Sequence, residues 1–342
     1  MHRYWIDYLR LLAAFAVICR HVTGPAVELP AAVGMNAWWF ANATTAFSRF
    51  CVPAFVMITG ALLLGRESDP LAFYRARVGR LVPALLFWFL FYLVFSYYSN
   101  PVIATGGWKR WIASTIFNGR SHYHLWYLPM ILTLMLFVPY LNMFLNGRKP
   151  TGRELALLLV VMAPFLLLAQ VATALTHLTG KAFDWWALFV PFFAHLLLGY
   201  AIVRYREKIR IPSLLLMAGF LGGVLYIMAF NFVLISRGHV ATDFVALPNA
   251  SLGILMMTGS LFLLAARSEA WLPRSELVRR LCDCSFGIYL IHPVFIWLCS
   301  VLLAPRLGSG IAFMAAAIAF TAVASAATIV GLRRIPAFRR IS

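Results

Sequence analysis

Four ionisable side chains, Asp7, Arg10, Arg20 and His21, interrupt an otherwise apolar stretch near the start of the chain, YWIDYLRLLAAFAVICRHVT from Tyr4 to Thr23. Charge inside lipid is costly, so a span that keeps such groups turns them toward a protein interior or a water-filled path. At about 100° and 1.5 Å per residue, a helix returns Arg10 and His21 to within roughly 20° of one face and separates them by about 16 Å. Asp7 lies one turn before Arg10 on that stripe, and Arg20 points elsewhere. An imidazole aligned with a guanidinium and a carboxylate suits two jobs. One is a relay in a proton-coupled transporter or exporter. The other is group transfer, with His as general base on an acceptor hydroxyl and Arg as the clamp on an anionic donor.

Further residues carry chemistry along the chain. Arg49 falls about two turns inside the outer end of the second apolar run, at the depth of His21. Arg75, Arg77 and Arg80 crowd the start of the third run, where they serve topology and lipid headgroups or hold phosphate oxygens, which guanidinium forks fit. The segment 100–124 holds Trp108, Trp111, His122, Tyr123 and His124 and runs into Trp126 and Tyr127. It reads as an interfacial aromatic belt or as a lid or acceptor groove, since aromatic faces suit sugar rings. Tyr289 and His292 share a face of a later run, where Pro293 loosens the local hydrogen bonding. His122 and His124 supply only two ligands, and Cys282 and Cys284 form a lone C-x-C, so no metal and no disulfide framework is implied.

These side chains need membrane helices to position them. The chain has 342 residues, 63% hydrophobic and only 12% charged, against about a quarter charged in soluble domains. An all-α, polytopic membrane protein is expected, and the net charge of +18 reflects topology rather than nucleic-acid binding. Apolar runs long enough to span cover 4–27, 43–64, 81–99, 125–145, 154–176, 185–203, 213–235, 247–266, 285–304 and 310–332, about ten transmembrane helices. With the N-terminus cytoplasmic, the connections on the inside carry 20 Lys and Arg against 6 outside. Both termini are therefore expected in the cytoplasm. The first run is not a cleaved signal peptide, because Asp7, Arg10 and His21 break what should be an uncharged stretch. No composition shift or linker divides the chain, so 1–342 reads as a single transmembrane domain. The two halves show no similarity of the kind that marks many transporters. The chemistry is also concentrated in the first three runs, which favours transfer over transport.

The same residues resemble the membrane-bound acyltransferase family 3. Asp7-x-x-Arg10 followed by His21 is similar to its N-terminal R-x10-H signature. Ser48-Arg49-Phe50-Cys51-Val52-Pro53 leading into Met57-Ile58-Thr59-Gly60-Ala61-Leu62-Leu63-Leu64 resembles its second span, with Thr59 where Ser is more usual. Phe73-Tyr74-Arg75-Ala76-Arg77-Val78-Gly79-Arg80-Leu81-Val82-Pro83 is similar to its R-x-x-R segment. His124-Leu125-Trp126-Tyr127-Leu128 and Ser285-Phe286-Gly287-Ile288-Tyr289-Leu290-Ile291-His292-Pro293 complete the set.

The chain resembles the stand-alone branch, in particular enzymes that O-acetylate cell-surface or lipid-linked polysaccharide, with a bacterial inner membrane as the expected location. The resemblance implies acetyl-CoA or another acyl-CoA as donor, with no tightly bound cofactor, and a glycan or other hydroxyl as acceptor, among membrane lipids. Arg75, Arg77 and Arg80 would then meet the CoA phosphates and Arg10 would line the way up, neutralised by Asp7. His21 would act as general base or as an acyl-histidine nucleophile. Arg49, His124, Trp126, Tyr127, Tyr289 and His292 would serve the acceptor.

Overall fold

The computed structural model describes residues 3–67, 69–118, 121–148, 151–154, 157, 160, 189–237 and 251–342. The described residues are helical and contain no strand. Eight helical spans among them, with Met35–Leu63 counted as one, are long and apolar enough to cross a membrane, and Val190–Tyr205 adds a shorter apolar helix. The expected fifth run, 154–176, lies almost wholly outside the described residues. The others each have a helical counterpart.

Contacts divide the chain into two compact units, one formed by Met1–Leu62 with Ala194–Arg340 and Ser342, the other by Leu63–Phe193 with Ile341. In the first unit, α1 (Tyr4–Glu28) is followed by a single short turn, α2 (Pro30–Val33), and by α3 (Met35–Ser48). The carboxylate of Glu269 accepts from the backbone N–H groups of Tyr4 and Trp5 at 3.2 and 2.9 Å. It thereby satisfies two of the donors that a helix start leaves open and complements the positive end of the helix. Trp5 is buried edge-on against Phe262, with ring centroids 5.0 Å apart. Leu12 and Phe15, by contrast, stay exposed on the outward face of α1.

The helix that starts at Met35 does not run straight into α4 (Cys51–Leu63). It breaks at Arg49 and Phe50. Pro53 explains the position, because proline carries no N–H and its ring crowds the carbonyl four residues earlier, here that of Arg49. α3 runs antiparallel to α1. Thr45 faces Thr23, their hydroxyl oxygens 2.8 Å apart, and the Trp38 indole donates to the Val27 carbonyl at 3.2 Å.

α9 (Phe193–Tyr205) packs on α4. A methyl group on Gly60 would stand 1.9 Å from the Leu196 carbonyl oxygen, and one on Gly199 would stand 2.1 Å from that of Met57. The two glycines thus let the backbones touch. α10 (Ser213–Ser236) and α11 (Leu252–Arg267) pair closely, and α12 (Glu276–Leu302), one turn of α13 (Ala304–Leu307) and α14 (Ile311–Leu332) complete the unit.

The second unit is built on α5 (Pro70–Ser99), with α6 (Pro101–Thr105), α7 (Gly107–Asn118) and α8 (Tyr127–Leu145). Asp69 caps α5 by accepting from the Ala72 N–H at 2.7 Å, and Pro70 occupies the first helical position, which needs no N–H partner. At 30 residues this helix is about 45 Å long, well beyond the roughly 30 Å hydrocarbon thickness. Arg75, Arg77 and Arg80 therefore stand on the first turns of a helix and not in a connecting loop, as the run 81–99 had placed them. The segment 100–124 is likewise largely helical. In α7, Trp111 donates to the Leu93 carbonyl at 2.9 Å and Trp108 stacks on Tyr97 at 4.0 Å.

Candidate functional site

The first unit brings the α1 stripe against α12. That helix starts at Glu276, nine residues before the run expected from Ser285, because Ser275 caps it through its hydroxyl and Glu276 pairs with Arg279 and Arg280 in the first turn. The longer helix places His292 about 24 Å from the helix start, not the 10 Å that a start at Ser285 would give.

His21 and His292 meet ring to ring. Nδ1 of His21 lies 2.7 Å from Nε2 of His292, and the rings are nearly parallel with centroids 5.0 Å apart. His292 is fully buried, whereas His21 is half-buried. On its other side, Nδ1 of His292 contacts the Tyr289 carbonyl oxygen at 2.6 Å. Tyr289 thus reaches the pair through its backbone, and its ring lies 6.0 Å from the His292 ring.

Toward the start of the same two helices, Cys282 stands between Asp7 and Arg10. Its thiol donates to Asp7 Oδ1 at 3.4 Å, and Arg10 donates to its sulfur at 3.5 Å. Asp7 is buried and Arg10 is half-buried. The carboxylate and the guanidinium are therefore linked through the sulfur of Cys282, for which a lone C-x-C predicts no role. The signal that finds it is spacing: Cys282 precedes His292 by ten residues, much as Arg10 precedes His21 by eleven.

Arg20, adjacent to His21, faces the other side of α1. It is buried there with Arg49, which is 1% exposed, and both guanidiniums interact electrostatically with each other and with Cys51, to which Arg20 is hydrogen-bonded. Thr23 and Thr45 continue this polar seam one turn further on. Arg20, without a role on the helical wheel, is thus the neighbour of Arg49.

The remaining expected site residues lie in the second unit. Arg75 and Arg80 are exposed and Arg77 is half-buried, its guanidinium 5.3 Å from the centre of the Phe73 ring. Arg66 and Arg80 both act electrostatically on Arg77, so Arg66 joins a cluster that the R-x-x-R spacing alone does not include. The Arg77 Nε is buried without a hydrogen-bond partner among the described residues, which a bound anion would satisfy.

His124 is packed, not presented. It is 1% exposed, its ring lies edge-on to the buried Tyr92 at 4.7 Å, and its Nδ1 is 3.0 Å from that of His122. Trp126 and Tyr127 are half-buried, and the Trp126 ring lies 6.1 Å from Phe192. Of the expected set, Asp7, Arg10, His21, Arg49, Tyr289 and His292 belong to one unit, and Arg75, Arg77, Arg80, His124, Trp126 and Tyr127 to the other.

The family model for an acyltransferase domain matches residues 3–330 and so runs through both units. The chain belongs to acyltransferase family 3. It is a multi-pass membrane acyltransferase. Neither the comparison with curated proteins nor that with solved structures gave a match. In an acyltransferase, an imidazole whose second nitrogen is held by a buried partner is a group equipped to move a proton.

Proposed function

We propose that this acyltransferase moves an acetyl or other small acyl group from cytoplasmic acyl-CoA to a hydroxyl of a cell-surface or lipid-linked glycan, in a bacterial inner membrane with both termini inside. The observation that carries the reading is the His21 imidazole hydrogen-bonded to the buried His292 ring. His21 takes the proton of the acceptor hydroxyl while the hydroxyl oxygen attacks the thioester carbon. The ester forms, the carbon–sulfur bond breaks, and the proton leaves on the CoA thiol.

Arg66, Arg75, Arg77 and Arg80 supply the charge that CoA phosphates require, since guanidinium groups bind phosphate oxygens in a bidentate manner. Arg10, held through Cys282 to Asp7, lines the donor path below His21. The roughly 16 Å between their turns of α1 suits an extended pantetheine arm. Arg49 with Arg20 serves the acceptor end, by gripping an acidic acceptor or by stabilising the oxyanion. Trp126 and Tyr127 offer aromatic faces to a sugar, and His124 supports them from within its aromatic cluster.

The test is acyl transfer from labelled acetyl-CoA in proteoliposomes, with CoA released per acceptor modified as the readout. The wild-type protein should release one CoA per acyl ester formed, and His21→Ala should lose transfer while still inserting. Full transfer by His21→Ala removes His21 from the chemistry. Movement of substrate across the vesicle without CoA release supports a transporter instead.

A further inference from the structure

We infer that His292 is a positioning residue which fixes the tautomer of His21, and that Pro293 makes this possible by releasing the Tyr289 carbonyl. The inference rests on the reading of His21 as the proton acceptor in acyl transfer.

In a regular helix the Tyr289 carbonyl would accept the N–H of residue 293. Proline has none, so that carbonyl loses its helical donor. The His292 side chain takes the position, with Nδ1 at 2.6 Å from the freed oxygen. A carbonyl only accepts, so Nδ1 of His292 must carry a proton. In a neutral imidazole one nitrogen is then the donor and the other the acceptor, which leaves the lone pair on Nε2. Nε2 faces Nδ1 of His21 at 2.7 Å, so Nδ1 of His21 must be the donor there. The lone pair of His21 is thereby assigned to Nε2. The opposite arrangement, a cationic His292 donating to His21 Nδ1, would consume the lone pair of His21 and leave it no base.

The device comprises Tyr289 to Pro293 and the His21 ring on α1. During transfer the hydroxyl proton arrives on His21 Nε2. The resulting imidazolium keeps its Nδ1–H on His292 Nε2, and no proton need leave the pair before Nε2 passes its own to the departing thiolate.

The experiment is ¹⁵N NMR of the histidine-labelled protein in lipid nanodiscs, with His21 assigned from the spectrum of His21→Ala, together with acyl-transfer kinetics. Wild-type His21 should show protonated Nδ1 and bare Nε2. His292→Gln offers an amide oxygen where Nε2 stood, and should keep that tautomer and most of kcat. His292→Leu fills a similar volume with no acceptor. It should give a tautomer mixture and lower kcat about 100-fold, with both KM values within about twofold of wild type. Pro293→Ala, which returns an N–H to the Tyr289 carbonyl, should shift the tautomer in the same direction and offers a second route should His292→Leu fail to fold. A protonated Nε2 on wild-type His21 overturns the inference, as does equal kcat for the Gln and Leu variants. An unchanged tautomer in Pro293→Ala removes the proline from it. Because NMR reads the tautomer without turnover, it separates this inference from the assignment of His21 as base.

Discussion

Arg10 and His21, eleven residues apart on α1, meet Cys282 and His292, ten residues apart on α12. Residue numbers rise together along both helices, so α1 and α12 are parallel neighbours. Glu269 at the start of α1, and the Tyr8 hydroxyl donating to the Pro273 carbonyl at 3.1 Å, keep the same order. Parallel membrane helices need an odd number of crossings between them, and the ten-run reading of the sequence supplies seven. Both contact pairs thus lie along one seam, with the carboxylate and guanidinium at one level and the imidazoles at another.

The lower level depends on a thiol donating to Asp7. Cys282→Ser keeps a donor and should retain acyl transfer and thermal stability close to wild type. Cys282→Val leaves the buried carboxylate short of that donor, at a cost of about 1–3 kcal/mol. Thermal unfolding in detergent and the transfer rate measure the difference between the two variants. Equal behaviour would show that the sulfur merely fills space.

Glu269 carries a charge at the start of α1, where two backbone donors end on it. Glu269→Gln removes the charge and keeps the size, and should destabilise the protein by about 1 kcal/mol. The loss should shrink at high salt, where helix-end electrostatics are screened. A thermal shift series at two ionic strengths checks both statements.

The arginine cluster on α5 should show a donor-specific defect. Arg77→Gln and Arg80→Gln are each expected to weaken CoA binding about tenfold, equivalent to about 1.4 kcal/mol, while the acceptor KM changes little. Arg66→Gln should act in the same direction because Arg66 lies within electrostatic reach of Arg77. Direct CoA titration of the purified variants is the measurement, and a defect confined to the acceptor would assign the cluster elsewhere.

Much of the architecture is legible in the sequence because lipid imposes one rule on every span, an apolar run about 20 residues long. That rule is silent about helix that continues beyond the hydrocarbon. The first turns of α5 and α12, with Arg75 to Arg80 and Glu276 to Cys284, fall outside the apolar runs for this reason, although Asp69-Pro70 and Ser275 carry capping signals. The helical wheel found the face shared by Asp7, Arg10 and His21, since that relation lies within one helix. Which side chains cross from another helix is a matter of packing, so the pairing of His21 with His292 and of Arg20 with Arg49 required coordinates. His124 shows the converse: its aromatic surroundings are plain in the sequence, but its burial against Tyr92 is not.

Close helix contact gives a further expectation. Gly60→Ala and Gly199→Ala would each press a methyl group into a carbonyl oxygen of the facing helix. Each should cost about 1–3 kcal/mol from overpacking, read as a lower unfolding temperature. Gly222→Ala is the control, since a methyl group there meets nothing within 4 Å. A Gly60→Ala protein as stable as Gly222→Ala would contradict the contact.

The same contact bears on how the protein keeps the membrane it crosses sealed. A multi-pass protein with ionisable groups between its helices risks leaking protons and ions along them. Where Gly60 and Gly199 bring two helix backbones together, the space left is smaller than a methyl group, too small for a water molecule or a wire of them. At these two points the α4–α9 contact admits no water, so a hydrated path between the two helices would have to pass elsewhere along them.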